Sequence, residues 1–112
     1  MLIKKIETIR TPNHPNLIWV KVYNEDGKYG LGETWFGAEA VEADIHSRLA
    51  PMLIGKDPSR IEYIYSLMRP YIGFFGTGTE MRALSAIDVA LWDLNGKVKN
   101  LPIYDLLGGK TK

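Results

Sequence analysis

Apolar residues alternate with polar ones through the first third of the chain and then recur every three or four residues. This change of period divides the chain into a β part and a helical part. Three runs rich in Ile, Val, Tyr and Trp, Leu2 to Arg10, Leu17 to Asn24 and Tyr29 to Trp35, predict strands. In the second, Ile18, Val20 and Val22 alternate with Trp19, Lys21 and Tyr23, the period of two expected when a strand's faces meet different surroundings. Glu25-Asp26-Gly27-Lys28 separates the second run from the third, and its Asp-Gly pair supplies the positive φ of a tight hairpin. The link Thr11-Pro12-Asn13-His14-Pro15-Asn16 carries two prolines and is expected to be loop or turn.

From Ala38, Val41, Ile45, Leu49 and Met52 or Leu53 follow helical spacing and predict one buried face. Pro51 should kink or end this helix, and Gly55-Lys56-Asp57-Pro58 stops it. Ser59 and Glu62 have the spacing of a capping box for a second helix that reaches about Arg69, before Pro70. Thr77 and Glu80 offer the same device to a third helix extending to about Lys99. Its stripe of Leu84, Ile87, Leu91, Leu94 and Val98 should face the core, while Ala83, Ala86 and Ala90 form a strip that another element can approach closely. Lys99-Asn100-Leu101-Pro102 ends it, and Ile103 to Leu107 can add one helical turn before Gly108-Gly109. The pattern predicts an α+β domain: a three-stranded antiparallel β-meander over 1–36, then a bundle of three to four helices over 37–107.

Length and composition narrow the function classes. A chain of 112 residues is the size of one domain, burying roughly 65% of its unfolded surface. Fourteen Lys and Arg against thirteen Asp and Glu leave a formal charge of +1, which creates no field to draw in nucleic acid or an anionic membrane. The absence of cysteine excludes a thiol nucleophile, a thiolate metal site and a disulfide framework, and favours a reducing compartment. The opening Met1-Leu2-Ile3-Lys4-Lys5-Ile6 lacks the apolar segment of a signal peptide, so a cytoplasmic protein is expected.

Candidate chemistry is sparse. Asp88 and Asp93 lie five positions apart on a helix and point about 140° apart, so they do not form a carboxylate pair. Asp93 and Lys97 instead have the acid-before-base spacing that supports a helix. Glu39, Glu42 and Asp44 favour the first half of a helix and are expected to be solvated rather than metal-binding. Gly76-Thr77-Gly78 follows a helix rather than a strand, and Met81 stands where a dinucleotide fingerprint needs its third glycine. No zinc spacing and no nucleophile and base pair is present.

The stretch Ala83 to Lys97, followed by Pro102-Ile103 and Leu106-Leu107-Gly108-Gly109, closely resembles the signature of mandelate racemase and muconate lactonizing enzymes of the enolase superfamily. Tyr29-Gly30-Leu31-Gly32-Glu33 is similar to that family's third strand, and Leu53-Ile54-Gly55-Lys56-Asp57-Pro58 to its first interhelix loop. Asp57 to Glu62, with Ala86-Ile87-Asp88 through Gly96-Lys97, looks closest to sugar-acid dehydratases such as galactonate dehydratase.

This resemblance implies an enolase N-terminal capping domain that closes over a (β/α) barrel. In the barrel a Lys or His base removes the proton α to a carboxylate, and Mg²⁺ stabilises the enediolate. A barrel takes about 250 residues, so the base and metal ligands are expected outside these 112 residues, which should hold no cofactor and no catalytic group. The implied partners are the chain's own barrel domain, a carboxylate or sugar-acid substrate and, for the intact enzyme, further copies of itself.

By position the family's two substrate-contacting loops correspond here to Thr11–Leu17 and Thr34–Gly37, which makes His14, Trp35 and Phe36 the candidate capping residues. Each has a structural alternative: His14 as an exposed loop residue without a role, and Trp35 and Phe36 as a plug under the first helix. Phe74-Phe75 reads either as a lid or as packing against the barrel. The competing function is a free-standing interaction module. In an isolated domain the small-residue strip and the aromatic loops should form an exposed apolar patch.

Overall fold

The computed structural model describes residues 1–69 and 78–107. β1 (Ile3–Thr11), β2 (His14–Asn24) and β3 (Tyr29–Trp35) form an antiparallel sheet in the order β1-β2-β3. The helical part contains α1 (Ala38–Asp44), a wide π-helical turn (Ile45–Leu49), α2 (Ala50–Leu53), α3 (Ile61–Met68), α4 (Thr79–Lys99) and the single turn α5 (Ile103–Leu106). Ile18, Val20 and Val22 are fully buried, as their alternation requires, and meet Leu84, Ile87, Leu91 and Leu94 of α4 in one core. Each of these side chains contributes roughly 1.5–3 kcal/mol by leaving water.

α4 seats on β3 because both elements are small where they cross. Ala86 and Ala90 are fully buried, and a Cβ at Gly32 or Gly30 would collide with their backbone carbonyls. Asp93 fastens the same contact by accepting the Leu31 N–H at 2.8 Å and pairing with Lys97 at 3.0 Å, while Lys97 also donates to the Tyr29 carbonyl at 3.0 Å. The small-residue strip therefore meets the chain's own sheet, and the expected exposed patch does not include it. Asn100 ends α4 in the left-handed region, φ 55°, where a short polar side chain is tolerated.

Three expectations are corrected. His14-Pro15-Asn16 belongs to β2, and only Pro12-Asn13 turns the chain, because Thr11 pairs with His14. Pro15 is tolerated at the exposed outer end of the strand, beyond the first β2–β3 pair at Leu17. Pro51 lies in the last turn of the first helical rod, as expected, and the rod ends two residues later at Leu53. The wide turn just before it, in which Ala50 N–H reaches back five residues to the Ile45 carbonyl, absorbs the misfit. This turn also keeps Val41, Ile45, Leu49 and Leu53 on one buried face, whereas twelve residues of regular α-helix would drift about 120°.

Ser59 does not cap α3. Asp57 Oδ1, a charged acceptor two residues upstream, takes both its N–H at 2.9 Å and its hydroxyl at 2.7 Å, and the helix starts at Ile61. These bonds hold the Asp57 carboxyl below its ordinary value. Glu42 is not merely solvated, since its carboxylate accepts from the Thr8 hydroxyl at 2.7 Å and Arg10 Nε at 3.1 Å. With its proton committed to Glu42, the Thr8 hydroxyl accepts from His46 Nε2 at 2.8 Å, so that ring nitrogen carries a proton. The second capping box, with Thr77, and Phe74-Phe75 lie outside the described residues.

Candidate functional site

The β1–β2 turn and the segment after β3 meet at one end of the sheet because the strands are antiparallel. Leu17 pairs with Trp35, and the next residue, Phe36, donates its N–H to the Asn16 carbonyl at 2.8 Å. Trp35 and Phe36 project from this end, 64% and 56% exposed, with ring centroids 6.2 Å apart at 81°. They do not plug the space under the first helix. The backbone that presents them is unusual: Phe36 has φ 76° and Gly37 φ 64°. Glycine adopts this region freely, but a bulky residue held there costs about 1–3 kcal/mol. Gly37 then accepts the Val41 N–H and starts α1.

His14 lies exposed at the first residue of β2, three residues from Leu17 and thus roughly 10 Å farther out along the strand. Among the described residues no hydrogen bond joins it to Trp35 or Phe36. The structure thus brings Trp35 and Phe36 together, with His14 on the same end of the sheet.

Sequence reasoning missed Arg82. In the first turn of α4, half-buried, it places its guanidinium carbon 5.0 Å from the Phe36 ring centroid. One signal was available, because a cation in a helix's first turn opposes the helix dipole.

Two other regions bear on chemistry. A groove of about 440 Å³ is lined by Arg60, Tyr63, Trp92, Asn95, Lys99 and Leu106, and contains none of the candidates. Asn95 there donates to the Pro58 and Leu91 carbonyls at 2.9 and 2.8 Å, which ties the loop before α3 to α4. Asp88, half-buried, is raised above the ordinary carboxylate value by loss of solvent, against a hydrogen bond from Trp92 that lowers it. Asp93 turns instead to β3, so the two acids do not converge. Among the described residues no group of three or more His, Asp or Glu can hold a metal ion, and no helix is long and apolar enough to cross a membrane.

The family model for the N-terminal domain of mandelate racemase / muconate lactonizing enzyme matches residues 5–108. A D-galactonate dehydratase family member, RspA of Pantoea ananatis, is 46% identical over 117 residues, covering 100% of this chain and 28% of its own length. Among solved structures, an enolase of the mandelate racemase subgroup from Agrobacterium tumefaciens superposes with a TM-score of 0.92 at 45% identity, covering 100% of this chain and 31% of that one. An enolase from Pantoea ananatis, solved with bound D-gluconate and Mg, gives 0.84 at 45% identity over 99% of this chain and 28% of that one. The chain thus spans little more than a quarter of the curated relatives it matches.

Proposed function

The chain belongs to the mandelate racemase / muconate lactonizing enzyme family, as its N-terminal domain, and from that premise we propose that it caps and selects the substrate of an enzyme that removes the proton α to a sugar-acid carboxylate. One observation carries the reading: two adjacent aromatic residues, more than half exposed, the second of them on a strained backbone, stand at the end of the sheet where the β1–β2 turn and the segment after β3 meet. Strain of this kind persists where the surrounding structure holds it, and it concentrates at ligand-contacting sites.

In this role Trp35 and Phe36 exclude water from the distal part of the substrate and present a rigid apolar wall to it, and His14 offers a ring nitrogen to a hydroxyl or carboxylate. The described residues do not fit a metal ion. Our reading therefore assigns Mg²⁺ and the catalytic base to a barrel domain in the intact enzyme, which dehydrates or racemises a sugar acid as an oligomer in the cytoplasm. The Mg and D-gluconate of the Pantoea ananatis structure support this assignment.

The test is Trp35→Ala in the intact enzyme, assayed over a panel of sugar acids differing at the end distal to the reacting carbon. The relative kcat/KM values should change by about tenfold or more between substrates, as expected for loss of wall contacts worth about 1.4 kcal/mol. An unchanged rank and ratio across the panel would count against the capping role.

A further inference from the structure

Arg82 has no counter-ion among the described residues. Among the described residues its guanidinium makes no ion pair and no side-chain hydrogen bond, and residues 70–77, Pro-Tyr-Ile-Gly-Phe-Phe-Gly-Thr, contain no carboxylate that could pair with it. Glu80, two positions away, is on a different side of the helix, with its carboxylate 3.8 Å from where a Gly78 Cβ would stand. The other arginines nearest the sheet end and the first helix are neutralised: Arg10 by Glu42 at 3.1 Å and Glu39 at 3.7 Å, and Arg48 by Asp44 at 2.8 Å. A half-buried charge that lacks a counter-ion and sits at the unfavourable end of its helix is costly unless an anion arrives from outside. Its one aromatic contact, Phe36, places it at the tip of the capping segment.

We propose that Arg82 is a specificity-determining residue that recognises a second carboxylate at the distal end of the substrate, so that the enzyme favours sugar diacids over the corresponding monoacids. This rests on the capping reading above. The guanidinium fork matches a carboxylate bidentately, and the Phe36 ring holds its plane in place. Lysine would keep the charge but lose the fork and the stack.

The experiment measures kcat/KM of the intact enzyme for matched pairs of six-carbon monoacids and diacids of the same stereochemistry, with wild type, Arg82→Gln, Arg82→Lys and Trp35→Ala. Arg82→Gln should lower kcat/KM for the diacid about 10- to 100-fold, mainly through KM, and for the monoacid by less than about threefold. Arg82→Lys should recover part of the loss. Equal losses on both acids would reduce Arg82 to a support for Phe36 and overturn the proposal, as would no loss on either. If Trp35→Ala shifts selectivity while Arg82→Gln does not, only the role of Arg82 falls; if neither does, the capping reading falls as well. Should no acid in the panel turn over, calorimetric titration of wild type and Arg82→Gln with the same acids replaces the rates, and failure of wild type to prefer the diacid overturns the proposal. Matching thermal unfolding midpoints for the variants exclude loss of fold as the cause.

Discussion

Gly32 of β3 lies against the backbone of Ala86 in α4, so closely that no side chain fits between strand and helix. Their contact sets the spacing of the sheet and the long helix, and with it the position of Arg82 one turn away. Gly32→Ala should therefore destabilise the domain by about 3 kcal/mol or more, since neither backbone can yield without opening the core. Urea unfolding checks this; a loss below about 1 kcal/mol would mean that α4 can ride outward freely. Gly27→Ala provides a contrast. It meets no neighbour within 4 Å but has φ 83°, so it should cost only the strain of that conformation, about 1 kcal/mol.

Asp93 joins the same two elements electrostatically. Asp93→Ala leaves the Leu31 N–H without its acceptor and Lys97 without its partner, and should cost about 1–3 kcal/mol. Hydrogen exchange at the Leu31 amide should accelerate more than at Val20 or Val22, whose amides lie in the central strand. Uniform acceleration across the sheet would refute a local role.

Phe36→Gly removes a bulky side chain from a left-handed backbone. Truncating a core phenylalanine usually costs about 3–5 kcal/mol, but here the ring is 56% exposed and relief of strain offsets what is lost. Stability should stay within about 1 kcal/mol of wild type, while selectivity in the intact enzyme changes. A large loss of stability would show that Phe36 serves the fold.

Two acids should act with opposite sign on the pH dependence of stability. Asp57 is lowered from 3.8 by its bonds from Ser59, so its contribution is full above that value and is lost as pH falls through the lowered one. Asp88 is raised from 3.8 by burial, so the folded state binds its proton more tightly and stability falls as pH rises from 3.8 through the raised value. Asp88→Asn should then raise Tm near pH 7 and make little difference near pH 3. Asp57→Asn should lower Tm near pH 7 and matter less in acid. Melting curves of both variants between pH 3 and pH 7 decide the matter; a lower Tm for Asp88→Asn at pH 7 would mean that the charge is needed.

The correct and the mistaken expectations differ in the range of the interactions behind them. The hairpin at Asp26-Gly27 was legible because the turn is local: Gly27 takes φ 83°, and Asn24 Oδ1 accepts the N–H groups of Asp26 and Lys28 at 3.0 Å. Ser59 was misread because Asp57, a stronger acceptor, competes for it. Glu42 was misread because Thr8 and Arg10, more than thirty residues earlier, come to it only across the sheet.

The sequence by itself determined the β-meander, the order of the helices, the buried stripe of α4 and the family, since period, turn chemistry and signature motifs are properties of neighbours along the chain. Which residues stand together at the Trp35 end of the sheet was decided by tertiary structure alone. Trp35 and Phe36 are placed at the sheet end by the pairing of β3 with β2, and Arg82 reaches Phe36 only because the glycines of β3 let α4 lie against the sheet. Such contacts join residues from eighteen positions apart, as for Leu17 and Trp35, to more than fifty, as for Gly32 and Ala86, where no local periodicity extends and packing sets the distance.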